Sequence, residues 1–212
     1  MNATRFGRNT AKLMPHSKKR ANTLEKENLS VQISRSVGLM LLLATMTSAL
    51  FAQKDVHAAL IAPAARSTAP TFHLAGETGK TIQVSDYRGR VVLLNFWATG
   101  CGGCVLEIPS LIEIERAYKN EGFTVVGVSV DKSYEELKND DEAWRKVRAF
   151  IVSRKLNYPI LMGDDSIVSA YKVNAYPATY LIDKYGRIAA TYVGIVDKVN
   201  IEENVKALLS ER

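Results

Sequence analysis

VVLLNFWATGCGGC, residues 91–104, joins two patterns that belong together in an α/β protein. Val91 to Ala98 is almost continuously apolar, as expected of a central strand covered on both faces. Two cysteines three residues apart follow at once, where the strand should give way to a helix. A thiol at a helix N-terminus meets unpaired amides and the positive end of the macrodipole, and both favour its thiolate. The spacing therefore predicts an exposed Cys101 that attacks a disulfide and a shielded Cys104, one turn inward, that displaces the product. Gly102 and Gly103 permit the tight loop and leave the reduced state more flexible than a proline would.

Working outward, Thr71 to Leu74 and Thr81 to Val84 flank the turn-forming Gly76 and Gly79 and predict a β-hairpin. Beyond the cysteines a helix is expected over Gly102 to Asn120, with Leu106, Leu111, Ile114 and Tyr118 as its buried stripe and Gly122 ending it. Phe123 to Val130 reads as a second doubly covered strand. An amphipathic helix follows over about Glu142 to Leu156, with Ala143, Val147, Phe150 and Ile151 at helical spacing, and its acidic start Asp140-Asp141-Glu142 reads as solvated. Tyr158 to Leu161 should be a short strand and Ser166 to Tyr171 a short helix. A hairpin pairs Thr179–Asp183 with Arg187–Val193 across Lys184-Tyr185-Gly186, and Lys198 to Leu209 closes the chain as a helix. Strands alternating with helices and ending in a hairpin plus helix describe an α/β fold, one sheet with helices on both faces.

The formal charge of +6 invites a nucleic-acid reading, which the distribution of charge removes. Residues 1–58 hold nine Lys/Arg against three Asp/Glu, while residues 59–212 hold nineteen of each. A balanced domain has no electrostatic footprint for phosphate, so no nucleic-acid partner is expected. The basic leader precedes the apolar run Val37 to Ala52, which has the order of a secretory signal. At 16 residues it falls short of the roughly 20 that span a bilayer comfortably, so residues 1–58 are read as a cleaved signal peptide or, alternatively, a signal anchor. Residues 59–70, rich in Ala with Pro63 and Pro70, read as a linker or the frayed start of the domain, and 71–212 as the folded domain.

Other uses of the cysteine pair are less well supplied. A structural zinc needs four ligands, yet Cys101 and Cys104 are the only cysteines and His73 is the only histidine past residue 58, so no metal is expected. A purely structural disulfide remains open, although so short a loop constrains the unfolded chain little. No cofactor is called for.

The ordered motifs Ser85-Asp86-Tyr87-Arg88-Gly89-Arg90, VVLLNFWAT with CxxC, Val128-Ser129-Val130-Asp131, Tyr158-Pro159-Ile160, Tyr176-Pro177-Ala178-Thr179-Tyr180-Leu181-Ile182-Asp183 and Tyr185-Gly186-Arg187-Ile188 carry a further reading. Over about residues 70–212 the chain resembles the thioredoxin superfamily, and within it the exported TlpA/ResA-like thiol:disulfide oxidoreductases. The resemblance implies a thioredoxin-like fold with a central mixed sheet, an N-terminal β-hairpin and a central insertion at residues 132–157. It makes Cys101 the nucleophile and Cys104 the resolving thiol. It gives Pro177 the cis form beside the disulfide, where it shapes the substrate groove, and places Tyr176 against substrate.

Glu107 matches the acidic residue of the pattern C-x-x-C-x-x-E-x-P, and Pro109 its helix-kinking proline. Cytoplasmic thioredoxins have a buried Asp where this chain has Asn95, and a neutral amide cannot accept a proton. Glu107, on the same helix face as Cys104, is therefore expected to be the base. Gly100 departs from the bulky residue usual before the first cysteine and should leave less apolar cover over the disulfide. Trp97 is retained and, with Gly100, is counted among the positions at the substrate side, although it is expected to pack below the site rather than to touch substrate.

The implied function is reduction of protein disulfides in an exported, periplasmic compartment, by resemblance those of apocytochrome c. Electrons would come from a membrane thiol donor, and an uncleaved leader would act as an inner-membrane tether. Two alternatives stand beside it. A redoxin-type thiol peroxidase would want a proline before Thr99, and none occurs between Pro70 and Cys101. A non-catalytic binding module of the same fold would not need a complete CxxC and Pro177.

Overall fold

The computed structural model describes residues 55–211; residues 1–54, and with them the apolar run of the signal-peptide reading, lie outside the described residues. Among the described residues no helix is long and apolar enough to cross a membrane.

Among the described residues, strands and α-helices follow one another in the order β1 (His73–Ala75), β2 (Thr81–Gln83), β3 (Val91–Trp97), α1 (Gly102–Tyr118), β4 (Phe123–Ser129), α2 (Asp131–Tyr134), α3 (Asp140–Arg154), β5 (Ile160–Met162), α4 (Asp165–Ala170), β6 (Ala178–Ile182), β7 (Ile188–Val193) and α5 (Lys198–Ser210). The strands β5-β4-β3-β6-β7 form one mixed sheet, parallel across β5, β4 and β3 and antiparallel across β3, β6 and β7. β1 and β2 form a separate antiparallel hairpin, tied to β5 by a bridge between Gly76 and Leu161.

Every residue of β3, β4 and β6 is buried, as near-continuous apolar runs require of strands covered on both faces. One face of β3 carries Asn95, which meets Glu107 of α1, and Trp97, whose ring lies 5.2 Å from Phe150 of α3. On the same face Tyr192 of β7 meets Asn204 of α5. The opposite face carries Phe96 against Tyr171 and Tyr180, next to α4. Helices thus cover both faces of a mixed sheet in a thioredoxin-like arrangement.

Local chemistry sets the helix ends. Asn139, Asp164 and Asp197 each accept a backbone N–H in the first turn of α3, α4 and α5. Gly122 ends the turn after α1 at φ 90°, a conformation glycine adopts without penalty.

Two expectations need correction. Leu106 does not belong to the buried stripe of α1: it is 63% exposed, and the buried face is Cys104, Glu107, Ile108, Leu111, Ile114 and Glu115. Residues 59–70 are not a loose linker. Backbone bonds run from Ile61 N to Ala189 O (2.8 Å) and from Ile188 N to Ser67 O (2.8 Å), and Val56 N reaches Ile195 O (2.8 Å).

At the centre of that stretch, buried Arg66 pairs with Asp183 at 3.1 Å and grips both carboxylate oxygens of Glu211 at 2.6 and 2.7 Å. A planar guanidinium fits this bidentate geometry, and the pairing raises the pKa of Arg66 and lowers that of Glu211. Asp183 is held low against its burial chiefly by the Arg187 N–H and side chain, with Arg66 adding to them. Arg66→Ala is expected to cost about 3 kcal/mol in denaturant unfolding, the low end for breaking a buried pair, because Arg187 still holds Asp183 at 2.8 Å. A loss below about 0.5 kcal/mol would show that the clasp contributes nothing.

Candidate active site

β3 delivers its last residues to the edge of the core, and Cys101 stands as the N-cap of α1. Its Sγ accepts the Cys104 N–H at 3.2 Å, so the first sulfur takes the place a capping oxygen usually occupies. The two cysteines form a disulfide with Cα atoms 5.3 Å apart. Cys104 is fully buried. Cys101, expected to be exposed, is only 5% accessible, so its sulfur is offered through a narrow window.

The loop before it is held from β4. Asp131, wholly buried at the start of α2, accepts the Thr99 N–H at 3.1 Å and the Thr99 hydroxyl, while Ser129 Oγ donates to its other oxygen at 2.8 Å. The sequence reading noted the Val-Ser-Val-Asp motif but gave Asp131 no task; it fixes the approach to Cys101.

On the other flank the Tyr176–Pro177 bond is cis. A Cβ on Gly103 would lie 3.4 Å from Pro177 Cδ and 3.6 Å from Ile195 Cγ1, so the two elements touch across the motif. Tyr176 is half-buried, and its ring meets that of Tyr134 edge-on at 5.7 Å. Gly100 lies at the surface. Trp97 does not reach this surface: it is buried beneath the site against Phe150, and is withdrawn from the positions counted at the substrate side.

Glu107, one turn past Cys104, is 1% exposed. Asn95 Nδ2 donates to its Oε1 at 2.6 Å and to Thr179 Oγ1 at 2.9 Å, and the Val196 N–H donates to its Oε2 at 3.3 Å. Burial outweighs these donors and pushes the carboxyl up to about 7. Asn95 thus orients the carboxyl rather than taking a proton. Asn95 Oδ1 and Trp97 Nε1 have no partner among the described residues. Val196 is itself paired with Val56, so the end of the stretch read as leader backs the loop that holds Glu107. Pro109 lies inside α1 and, lacking an N–H, leaves the Val105 carbonyl without its helical partner.

No group of three His, Cys, Asp or Glu that could hold a metal occurs among the described residues. What the arrangement offers is a buried two-sulfur couple, a carboxyl able to gain or lose a proton near neutrality, and an apolar, aromatic rim.

Comparison with known proteins agrees with that chemistry. Residues 65–191 match the AhpC/TSA family. The ResA thiol-disulfide oxidoreductase of Geobacillus thermodenitrificans is 32% identical over 177 residues, covering 83% of this chain and 95% of that protein. Among solved structures, a protein described as the thiol:disulfide interchange protein DsbE of Chlorobium tepidum superposes with a TM-score of 0.61 at 29% identity, over 68% of this chain and 97% of its own. A secreted thiol-disulfide isomerase of Corynebacterium glutamicum gives 0.62 at 26% identity, over 74% and 93%. The chain belongs to the AhpC/TSA family, on its thiol-disulfide oxidoreductase side, with the thioredoxin fold.

Proposed function

We propose that the protein is an extracytoplasmic disulfide reductase that works through Cys101 and Cys104. The observation that carries this reading is the unequal placement of the two sulfurs: one caps a helix at the rim, and the other is sealed one turn inward, three residues from a buried ionisable carboxyl on the same helix. In the reduced protein the Cys101 thiolate attacks a substrate disulfide, forms a mixed disulfide and expels one substrate thiolate. Cys104 then passes its proton to Glu107 and attacks Cys101 Sγ, releasing the second substrate thiolate. Two electrons leave the protein and the internal disulfide forms. A dithiol donor at the membrane restores the reduced state by the same exchange in reverse.

Tyr176 and Pro177 supply the groove wall on one side of the sulfurs, and Gly100 lies on the other. The polypeptide substrate that the resemblance implies is an apocytochrome c. Export is supported by the order of the leader, basic then apolar, and by the secreted relative. The peroxidase alternative would need the Thr99 hydroxyl free beside the attacking sulfur, whereas it is spent on Asp131.

A redox titration of the purified protein tests the direction of flow. A midpoint near about −270 mV is expected of a reductant, and one near about −120 mV would make it an oxidant instead. Labelling of Cys101 in intact cells by a membrane-impermeant thiol reagent tests the compartment, and protection until lysis would overturn export.

A further inference from the structure

Gly100, immediately before Cys101, has no side chain, yet the space beside it is filled. A Cβ built there would lie 2.6 Å from Glu135 Oε1 and 3.7 Å from Tyr134 Cε1. The end of α2 therefore brings two side chains to the position that residue 100 leaves empty. Their placement is fixed by the backbone bonds Tyr134 N to Val130 O (2.9 Å) and Glu135 N to Asp131 O (3.0 Å), and by the grip of Asp131 on Thr99. Lys146 of α3 pairs with the Glu135 carboxylate and holds it from behind.

Tyr134 is 45% exposed, a large aromatic at the surface next to a nearly covered sulfur. Its ring stands edge-on to Tyr176 at an interplanar angle of 82°, and Tyr176 leads into Pro177 on the opposite flank of the motif. The two rings together form an apolar wall from the Gly100 side to the Pro177 side. Aromatic rings supply large contact area at low entropic cost and accept other apolar groups edge-on or offset.

We propose that Tyr134 is a specificity-determining residue for this reaction: with Tyr176 it receives an apolar or aromatic side chain next to the reacting cysteine of an extended polypeptide, the task a bulky residue at position 100 would otherwise perform. The inference rests on Cys101 being the attacking sulfur. It adds a substrate class to that reading, an unfolded chain whose cysteine has an apolar neighbour.

The test compares three disulfides reduced by the full-length protein: a peptide dimer with Phe beside its cysteine, the same peptide with Gly there, and a small hydroxyalkyl disulfide. Wild type is expected to favour the Phe peptide over the Gly peptide by about tenfold in kcat/KM, the discrimination an apolar pocket commonly gives. Tyr134→Ala should reduce that preference to within about twofold, whereas Tyr134→Phe should keep it. The small disulfide reports whether the thiols of each variant still work.

A preference that survives Tyr134→Ala would overturn the proposal. Adding Gly100→Trp to Tyr134→Ala should bring the preference back, and its staying lost there would overturn the claim that Tyr134 fills the role of residue 100. If wild type reduces none of the three, the reading of Cys101 fails and the proposal falls with it; if only the peptide preference is absent, the oxidoreductase reading stands and the proposal alone fails.

Discussion

Cys104→Ser is expected to halt the reaction after one half-exchange, leaving a stable mixed disulfide between Cys101 and the substrate. Cys104 is fully buried one turn inside α1, and its N–H already reaches Cys101 Sγ at 3.2 Å, so in the native protein no other thiol can compete with it for that sulfur. Serine keeps the helix and the N–H but cannot attack. Turnover should fall by about 10³-fold or more, the scale seen when one member of a covalent catalytic unit is removed. Mass spectrometry should find one substrate adduct per chain, released by added dithiol.

Folding should survive the change, because a ring of so few residues constrains the unfolded chain by only about 2 kcal/mol. Cys101→Ser should give no adduct at all, since the remaining sulfur has no accessible surface. An adduct on Cys104 in that variant would reverse the assigned order.

The trapped species also separates the two flanks of the site. Tyr176 and Pro177 lie in the chain between α4 and β6, whereas Tyr134 and Asp131 belong to the stretch between β4 and α3. In the proposed reading a substrate held at Cys101 meets Tyr176 on one flank and Tyr134 on the other, so the insertion would matter as much as the strand that carries the cysteines. The resemblance located the first flank through a proline motif. The second could be located only from coordinates, because Asp131 acts on Thr99 from 32 positions away and nothing in either residue names the other.

The strands were legible for a plain reason. Val91–Trp97 and Phe123–Ser129 are buried on both faces, and unbroken apolar runs of that length leave few other placements. Leu106 was misread because it stands five positions before Leu111, which on a helix is about 140° away rather than on the same face. The true face of α1 includes Glu107 and Glu115, carboxylates that a count of apolar residues rejects. Residues 56–70 defeated pattern reading altogether. They are held by backbone bonds, which leave no mark on side-chain spacing, and by Arg66, whose partners lie 117 and 145 positions away.

Glu107→Gln should separate chemistry from stability through their opposite dependence on pH. The carboxyl is buried, has only neutral donors against it, and is pushed up to about 7. A carboxyl whose pKa is higher folded than unfolded lowers stability: the cost is absent below the unfolded value near 4.5, grows as pH rises, and is complete above about 7. Taken over that interval the penalty is about 3 kcal/mol, so the oxidised Gln variant should be more stable than wild type by up to that amount at pH 8 and alike at pH 4. One offset follows from geometry: the Gln amide must turn its N–H₂ toward either Asn95 Nδ2 or the Val196 N–H, so one of the two hydrogen bonds is lost.

Catalysis should move the other way. Without a proton acceptor beside Cys104, release of the mixed disulfide should slow by about 10²-fold at pH 7 and rise with pH as a bare thiol does, whereas wild type levels off above about 7. Stopped-flow release from pH 5 to 9 and denaturant melts across the same range provide both curves. Superimposable release profiles would remove Glu107 from the proton path, and a stability difference independent of pH would mean that its charge is compensated in the fold.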